Sequence, residues 1–178
     1  LISLVENLLS ATRIEDGRMQ LQLSSELFSD IIEEALRHIS RSAEKHKIIF
    51  IGKDELLLVK ADAKLIVQVV VNLLDNALKY TEADSEIVIE LERSGSMAQL
   101  SVADNGPGIP DEEKSRIFDK FYRGMNKIAD NRRSLGLGLY LCKAIIEAHG
   151  GKISVKDKEP KGAVFSFTLP LEEVILYE

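Results

Sequence analysis

Tryptophan is absent from this chain of 178 residues, cysteine occurs once, histidine three times and proline four times. The single cysteine, Cys142, excludes an intrachain disulfide and offers no thiolate cluster to a metal, so a reducing compartment is expected. No apolar run approaches the roughly 18 residues that cross a bilayer, so direct membrane contact by this chain is not expected. Positive charge is in deficit. Lys and Arg number 23 against 29 Asp and Glu, a net charge of -6 that argues against nucleic acid as a main partner. Internal repeats and low-complexity segments are also missing. What remains is ordinary globular composition, 45% hydrophobic and 29% charged, enough for one domain with a sizeable core and an appendage. The chain opens without Met inside an amphipathic pattern, and a longer parent is expected.

Residues 1 to about 15 predict a helix, with Ile2, Val5, Leu9 and Thr12 on one stripe and Leu1, Leu4 and Leu8 beside it. That stripe is wide for a helix standing alone and predicts a partner in a bundle. Met19–Leu23 alternates like a strand, and Ser24 or Ser25 is placed to cap a helix striped by Leu27, Ile31 and Ala35. Ile48–Ile51 and Leu56–Val59 read as short strands. A long helix follows from Ala61 or Asp62 to about Tyr80, with Ile66, Val70, Leu73 and Ala77 on one face. Glu86–Glu92 and Met97–Ala103 alternate about Ser94-Gly95-Ser96 and predict a hairpin. Asp111-Glu112-Glu113 opens a short helix with Ile117, Phe118 and Phe121 on its apolar side. The last helix ends at Ala148, and Val164–Leu169 closes the sheet.

Three features point to chemistry. Asn72, Asn76 and Lys79 stack along the long helix at spacings of four and three residues. Asparagine is a poor helix former with no solubility advantage over Glu or Lys, so this polar row predicts a site. Asp104-Asn105-Gly106-Pro107-Gly108-Ile109 sets a carboxylate acceptor at the end of a strand, beside backbone that a ligand can approach closely. The same residues also suit a plain tight turn, and their weight comes from their neighbours. Finally, Lys114, Arg116, Lys120, Arg123, Lys127, Arg132 and Arg133 face only Asp119 and Asp130 over residues 114–133. A basic stretch without periodicity predicts a lid over a polyanion such as a triphosphate. Gly136 and Gly138 then leave amides free where the last helix begins, which suits an anion.

The order Asn72-Leu-Leu-Asp-Asn76-Ala-Leu-Lys79-Tyr80, Asp104-Asn-Gly106-Pro-Gly108-Ile109, Phe118-Asp-Lys-Phe121 and Gly136-Leu137-Gly138-Leu139 resembles the ATP-binding domain of bacterial sensor histidine kinases. That domain belongs to the superfamily that includes DNA gyrase, Hsp90 and the MutL repair proteins. Residues 20–178 resemble this catalytic domain. Residues 1–19, ending Arg13-Ile14-Glu15-Asp16-Gly17-Arg18, resemble the end of the second helix of the kinase dimerisation bundle. The resemblance implies an α/β sandwich: a mixed, mostly antiparallel sheet, helices on one face, and an ATP lid.

It also implies roles, with ATP and Mg²⁺ as cofactors. Asp104 would take the adenine amino group, with Gly106, Gly108 and Ile109 along the base. Asn76 would offer its amide oxygen to Mg²⁺, a hard cation that keeps phosphate and water ligands. Asn72 would lie near the metal and phosphates, Lys79 would reach a phosphate, and Tyr80 would flank the nucleotide. Gly136, Leu137, Gly138 and Leu139 would present the phosphate-binding helix start. Phe118 and Phe121 would anchor the lid, and one of Arg123, Lys127, Arg132 or Arg133 would touch the γ-phosphate. Hydrolysing members carry Glu where Asn72 stands, and an amide has no carboxylate to activate water. The chemistry implied is therefore transfer to a histidine, then relay to a response regulator.

None of His38, His46 or His149 sits in a phosphoacceptor motif. His149 is expected to be a helix C-terminal dipole partner, and the other two surface residues. Two positions depart from the family pattern: Ser134 replaces a common glycine, and Lys161-Gly162-Ala163 has one glycine where two are usual. The Gly-Ala version is most similar to the sensor kinases controlling high-affinity potassium uptake. A membrane-anchored parent with this domain in the bacterial cytoplasm is the corresponding expectation. A regulatory module that binds nucleotide without kinase chemistry is the alternative.

Overall fold

The computed structural model describes residues 2–122 and 137–173. Its elements in chain order are α1 (Ile2–Glu15), β1 (Ser24–Leu27), α2 (Phe28–Ile39), β2 (Lys47–Ile51), β3 (Leu58–Ala61), α3 (Ala63–Lys79), β4 (Glu86–Ser94), β5 (Met97–Ala103), α4 (Asp111–Lys114), α5 (Gly138–Ala148), β6 (Ile153–Asp157) and β7 (Ala163–Pro170). Five strands form one sheet in the order β2-β4-β5-β7-β6, and β1 pairs with β3 in a separate ribbon. The β2–β4 pair is parallel and the other pairs are antiparallel. The sheet is therefore mixed and mostly antiparallel.

The alternation legible in β4 and β5 decides which face is covered. Ile89, Val102 and Phe165 lie in register across three strands, as do Leu91, Leu100 and Phe167, and all six are buried. Against them pack α2, α3 and α5, which also contact one another through α3. The α3 residues Ile66, Val69, Val70, Leu73, Leu74 and Ala77 are buried as the helical period requires. Phe28 at the start of α2 stacks on Phe167, ring centroids 5.9 Å apart. The opposite face is polar, with Ser101 and Ser166 joined through their hydroxyls at 2.9 Å. Asp62 caps α3 by accepting from the Leu65 N–H.

Several sequence expectations are corrected. The first strand is not Met19–Leu23 but Ser24–Leu27, because the ladder forms where β3 supplies a partner. Ser24 and Ser25 do not cap α2: their hydroxyls donate to Glu26 and Glu172, and Leu27 occupies the cap position. The strand predicted from Leu56 begins at Leu58, and Leu56 is 81% exposed. Strand β7 lies inside the sheet, and β6 forms that edge.

Helix α4 stops at Lys114, so helical spacing no longer carries Phe121 to the apolar side with Ile117. Ile117 is buried and Phe118 meets Phe165 edge-on at 6.3 Å, but Phe121 is 55% exposed with a positive φ of 64°. Helix α1 meets α5 through Ala11, with Ile14 packed beside Leu137, Tyr140 and Leu141, and a separate Lys120–Glu15 ion pair ties α1 to the segment after α4. Val5, Leu8 and Leu9 on α1 remain exposed.

Candidate functional site

Asp104 stands one residue beyond β5 with the parity of Leu100 and Val102, so strand alternation turns its side chain to the helix-covered face. It is 6% exposed. Its backbone N–H donates to the Ala163 carbonyl at 3.0 Å. Its Oδ1 accepts from the N–H groups of Gly106 at 2.9 Å and Ala163 at 3.3 Å. Both bonds fall on Oδ1; among the described residues Oδ2 has no donor. Burial pushes this carboxyl above the usual carboxylate range, opposed by the two N–H groups and by the charge of Lys158.

Two glycines are required by close approach. A Cβ on Gly106 would lie 2.8 Å from the Tyr80 carbonyl oxygen and 3.0 Å from Asp104 Oδ1. The loop thus rests on the C-terminus of α3, where the Tyr80 N–H donates to the Asn76 carbonyl. Gly162 has φ 118°, and a Cβ there would lie 1.9 Å from the Asp104 carbonyl oxygen. Gly108 abuts the Gly162 backbone from the other side, and Ile109 packs at the margin of the core. Asp104, Gly106, Gly108 and Tyr80 are therefore brought together, with Gly162 and Ala163 as the floor beneath them.

The polar row of α3 lies as predicted: Asn72 and Asn76 are half-buried and Lys79 is exposed. Asn72 Nδ2 donates to Cys142 Sγ on α5 at 3.8 Å, while the Cys142 thiol donates to the Val69 carbonyl at 3.8 Å. A thiol has one proton, and Val69 takes it, so the sulfur can only accept from Asn72. That fixes the amide with Oδ1 turned away from Cys142. Burial pushes the Cys142 thiol up to about 12. Asp75, between the two asparagines, is raised by burial and lowered in part by Lys79.

At the start of α5 the first helical bond runs from Leu141 N–H to Leu137 O. The amides of Gly138, Leu139 and Tyr140 thus precede the ladder and form the donor end of the helix. Arg123, Lys127, Arg132, Arg133 and Gly136, with the predicted lid, lie outside the described residues.

Two histidine expectations are corrected. His149 is buried at the end of α5, where Nδ1 lies 2.7 Å from the Ile145 carbonyl and Nε2 accepts the Asp62 N–H at 3.1 Å. An acceptor nitrogen carries no proton, so this ring bridges α5 to α3 as a neutral group rather than as a dipole cation. His46 is half-buried, with Nε2 2.9 Å from Thr81 Oγ1 and Nδ1 enclosed without a partner. His38 is exposed beside Glu34, as expected.

The sequence did not place Cys142 in the site, nor Lys158, whose Nζ donates to Asn105 Oδ1 at 2.6 Å, and it named Ala163 only within the Gly-Ala departure. It marked Gly162 only as a departure from a pattern. Its φ and its contact with Asp104 belong to a pairing between residues nearly 60 positions apart, which local spacing does not encode.

The family model for the histidine kinase-, DNA gyrase B- and HSP90-like ATPases matches residues 61–173. Sensor protein KdpD of Clostridium acetobutylicum is 40% identical over 172 residues, covering 97% of this chain and 19% of the relative. The chain therefore spans about one fifth of that protein's length. The catalytic domain of histidine kinase ThkA has a TM-score of 0.72 and 32% identity, covering 84% of this chain and 96% of that one. ThkA in complex with the response regulator protein TrrA has a TM-score of 0.75 and 30% identity, covering 94% and 48%. With these motifs, this sheet and these matches, the chain belongs to the histidine kinase-, DNA gyrase B- and HSP90-like ATPase family.

Proposed function

We propose that this chain is the catalytic domain of a sensor histidine kinase, which binds Mg²⁺-ATP and positions its γ-phosphoryl group for transfer to a histidine on a dimerisation helix. The observation that carries the reading is the buried Asp104 carboxylate, with Oδ1 saturated by its own backbone and Oδ2 left as an acceptor. An amino group on a planar base supplies the matching donor, and Gly106 lets the loop that carries Asp104 lie close against the Tyr80 carbonyl. Along α3, Asn72, Asn76 and Lys79 would face the phosphates, and the amides at the start of α5 would bind their oxygens.

Among the described residues no cluster of three or more His, Cys, Asp or Glu side chains could hold a metal. The Asn76 amide oxygen is a hard donor that would suit Mg²⁺, a cation that needs few protein ligands when a nucleotide is bound. When bound, the ion would neutralise charge on the phosphate oxygens. The protein's own contribution is orientation: Cys142 locks the Asn72 amide, and the Asp104 loop fixes the base. Asn72 carries no carboxylate to take a proton from water, which favours transfer over hydrolysis.

His46 and His149 are engaged within the fold and His38, exposed beside Glu34, sits in no phosphoacceptor motif, so the acceptor would be supplied from outside residues 20–178. Residues 1–19, with α1 seated on α5, would be the end of the second bundle helix. The phosphoryl group would pass to a response regulator, and the parent would be a membrane-anchored sensor with this domain in the cytoplasm. Calorimetric titration with a non-hydrolysable ATP analogue tests the reading. Binding is expected to depend on Mg²⁺. Asn76→Ala is expected to weaken the metal complex by roughly 10- to 100-fold, the worth of one hydrogen-bond-strength contact to a charged partner, with little effect on metal-free nucleotide. Equal loss in both arms would remove the metal role from Asn76. No binding in either arm would overturn the reading.

A further inference from the structure

We propose that Lys158, outside the four motifs that carry the family resemblance, is a positioning residue that holds the Asp104–Asn105 corner in its ligand-accepting state. The inference rests on the reading of Asp104 as the base-recognition group. Lys158 enters the site through the turn between β6 and β7. Its backbone N–H donates to the Gly162 carbonyl at 3.0 Å, which closes residues 158–162 into a tight loop. Gly162 lies directly against the Asp104 carbonyl, so this loop and the Asp104 loop share one backbone seam. Across the seam Lys158 Nζ donates to Asn105 Oδ1 at 2.6 Å. An ammonium has no acceptor, so the Asn105 amide must present its oxygen to Lys158. A single side chain thereby fixes the Asn105 amide and places a positive charge beside the neighbouring carboxylate.

The chemistry at Asp104 makes that charge matter. Oδ1 already accepts two N–H groups, so a proton arriving on this carboxyl must take Oδ2. The acceptor would become a donor and would oppose a ligand amino group. Burial drives the carboxyl toward that protonated state, and Lys158 is the charged side chain that opposes it. The other charges nearby are engaged or turned outward. Asp157 pairs with Lys114 at 2.8 Å, Asp75 and Lys79 act on each other along α3, and Glu159 and Lys161 are exposed. Tyr80 meets the corner through its backbone carbonyl. Lys158 thus adds its charge to the two backbone N–H groups that favour the ionised Asp104, without touching the ligand.

The test follows the Asp104 carboxyl ¹³C resonance and nucleotide-analogue affinity from about pH 5 to about pH 8 in the whole chain, in Lys158→Met and in Lys158→Arg. In Lys158→Met the Asp104 titration is expected to move to higher pH. The affinity deficit is expected to grow from roughly twofold at the alkaline end to roughly tenfold at the acid end, the sign required when a favourable charge is removed. Lys158→Arg is expected to restore both. A loss of affinity equal at every pH, or an Asp104 titration that does not move, overturns the proposal, since a purely structural lysine would behave that way. Thermal unfolding of the three proteins confirms that each is folded. A wild-type chain that binds no nucleotide, yet whose Asp104 still follows Lys158, overturns the base-recognition role and leaves the charge coupling standing.

Discussion

Asp104→Asn is expected to abolish measurable nucleotide binding while making the empty protein more stable. The two effects have one origin. Asparagine can keep both backbone bonds through its Oδ1, so the loop geometry survives. Its Nδ2 then stands where Oδ2 stood, and a donor faces the donor of the ligand. Losing a hydrogen bond to a charged group costs about 1.5–3 kcal/mol, and leaving the opposed donor unpaired adds to it, so a loss on the order of 100-fold or more is expected. Unchanged affinity in calorimetry would mean that the base is bound elsewhere.

Stability should move the other way. Burial raises the folded-state pKa of Asp104 above its unfolded value. Its favourable contribution to folding is then complete below the unfolded pKa and is lost as pH rises through the folded one. Near neutral pH the wild type carries the full penalty of burying the charge, and the amide does not. The melting temperature of Asp104→Asn is expected to exceed that of the wild type at about pH 7, with the gap closing as pH falls below about 4. A variant that melts lower at neutral pH would show that the charge is better compensated than this geometry provides.

Gly162→Ala is expected to be among the most damaging single-methyl changes in the described fold, with Gly52 and Gly151, whose added Cβ would also meet backbone at 2.0 and 1.8 Å. A methyl group at 1.9 Å from the Asp104 carbonyl has no flexible neighbour to displace, because the opposing atom is backbone. Parting that seam breaks the Asp104–Ala163 pair in both directions. Overpacking and the strained φ together set the cost at roughly 2–5 kcal/mol. For a domain of this size that is a fall in melting temperature of roughly 5–15 °C. Nucleotide affinity should fall with it, although Gly162 offers no side chain to a ligand. The control is Gly95→Ala. That turn glycine also has positive φ, 61°, but a Cβ there meets no atom within 4 Å, so only the left-handed penalty of about 1–2 kcal/mol remains. If both variants lose the same stability, contact with Asp104 is not what requires Gly162.

Long periodic patterns were the legible part of this chain. Seventeen residues of α3 repeat their apolar face often enough to announce the helix, and the same repeat set Asn72, Asn76 and Lys79 apart. The β4–β5 hairpin showed itself through alternation on both strands, and alternation turned Asp104 toward the covered face. Short elements were less legible. The position of β1 is fixed by β3, more than 30 residues away, so the alternation of Met19, Leu21 and Leu23 misled. Phe121 failed for a related reason, since a helix of four residues has no face to extend. The histidines show the limit of exposure inferred from neighbours in sequence. His149 is buried because Asp62, 87 residues earlier, offers it a backbone N–H. Lys158 carries no local signal at all; its meaning comes from a seam that folding alone creates.

The buried thiol of Cys142 has a consequence for observing this protein at work. It is the chain's sole sulfhydryl, lies wholly inside the seam between α3 and α5, and stays protonated far above neutral pH. An alkylating reagent reacts with thiolate that it can reach, and here both conditions fail unless the two helices part. The rate of alkylation therefore counts excursions of that seam, as amide exchange does for backbone, but at one address and without mutation. Because Asn72 rests on the same sulfur, anything that clamps Asn72 against α5 is expected to slow the clock, and anything that pries the two helices apart to speed it.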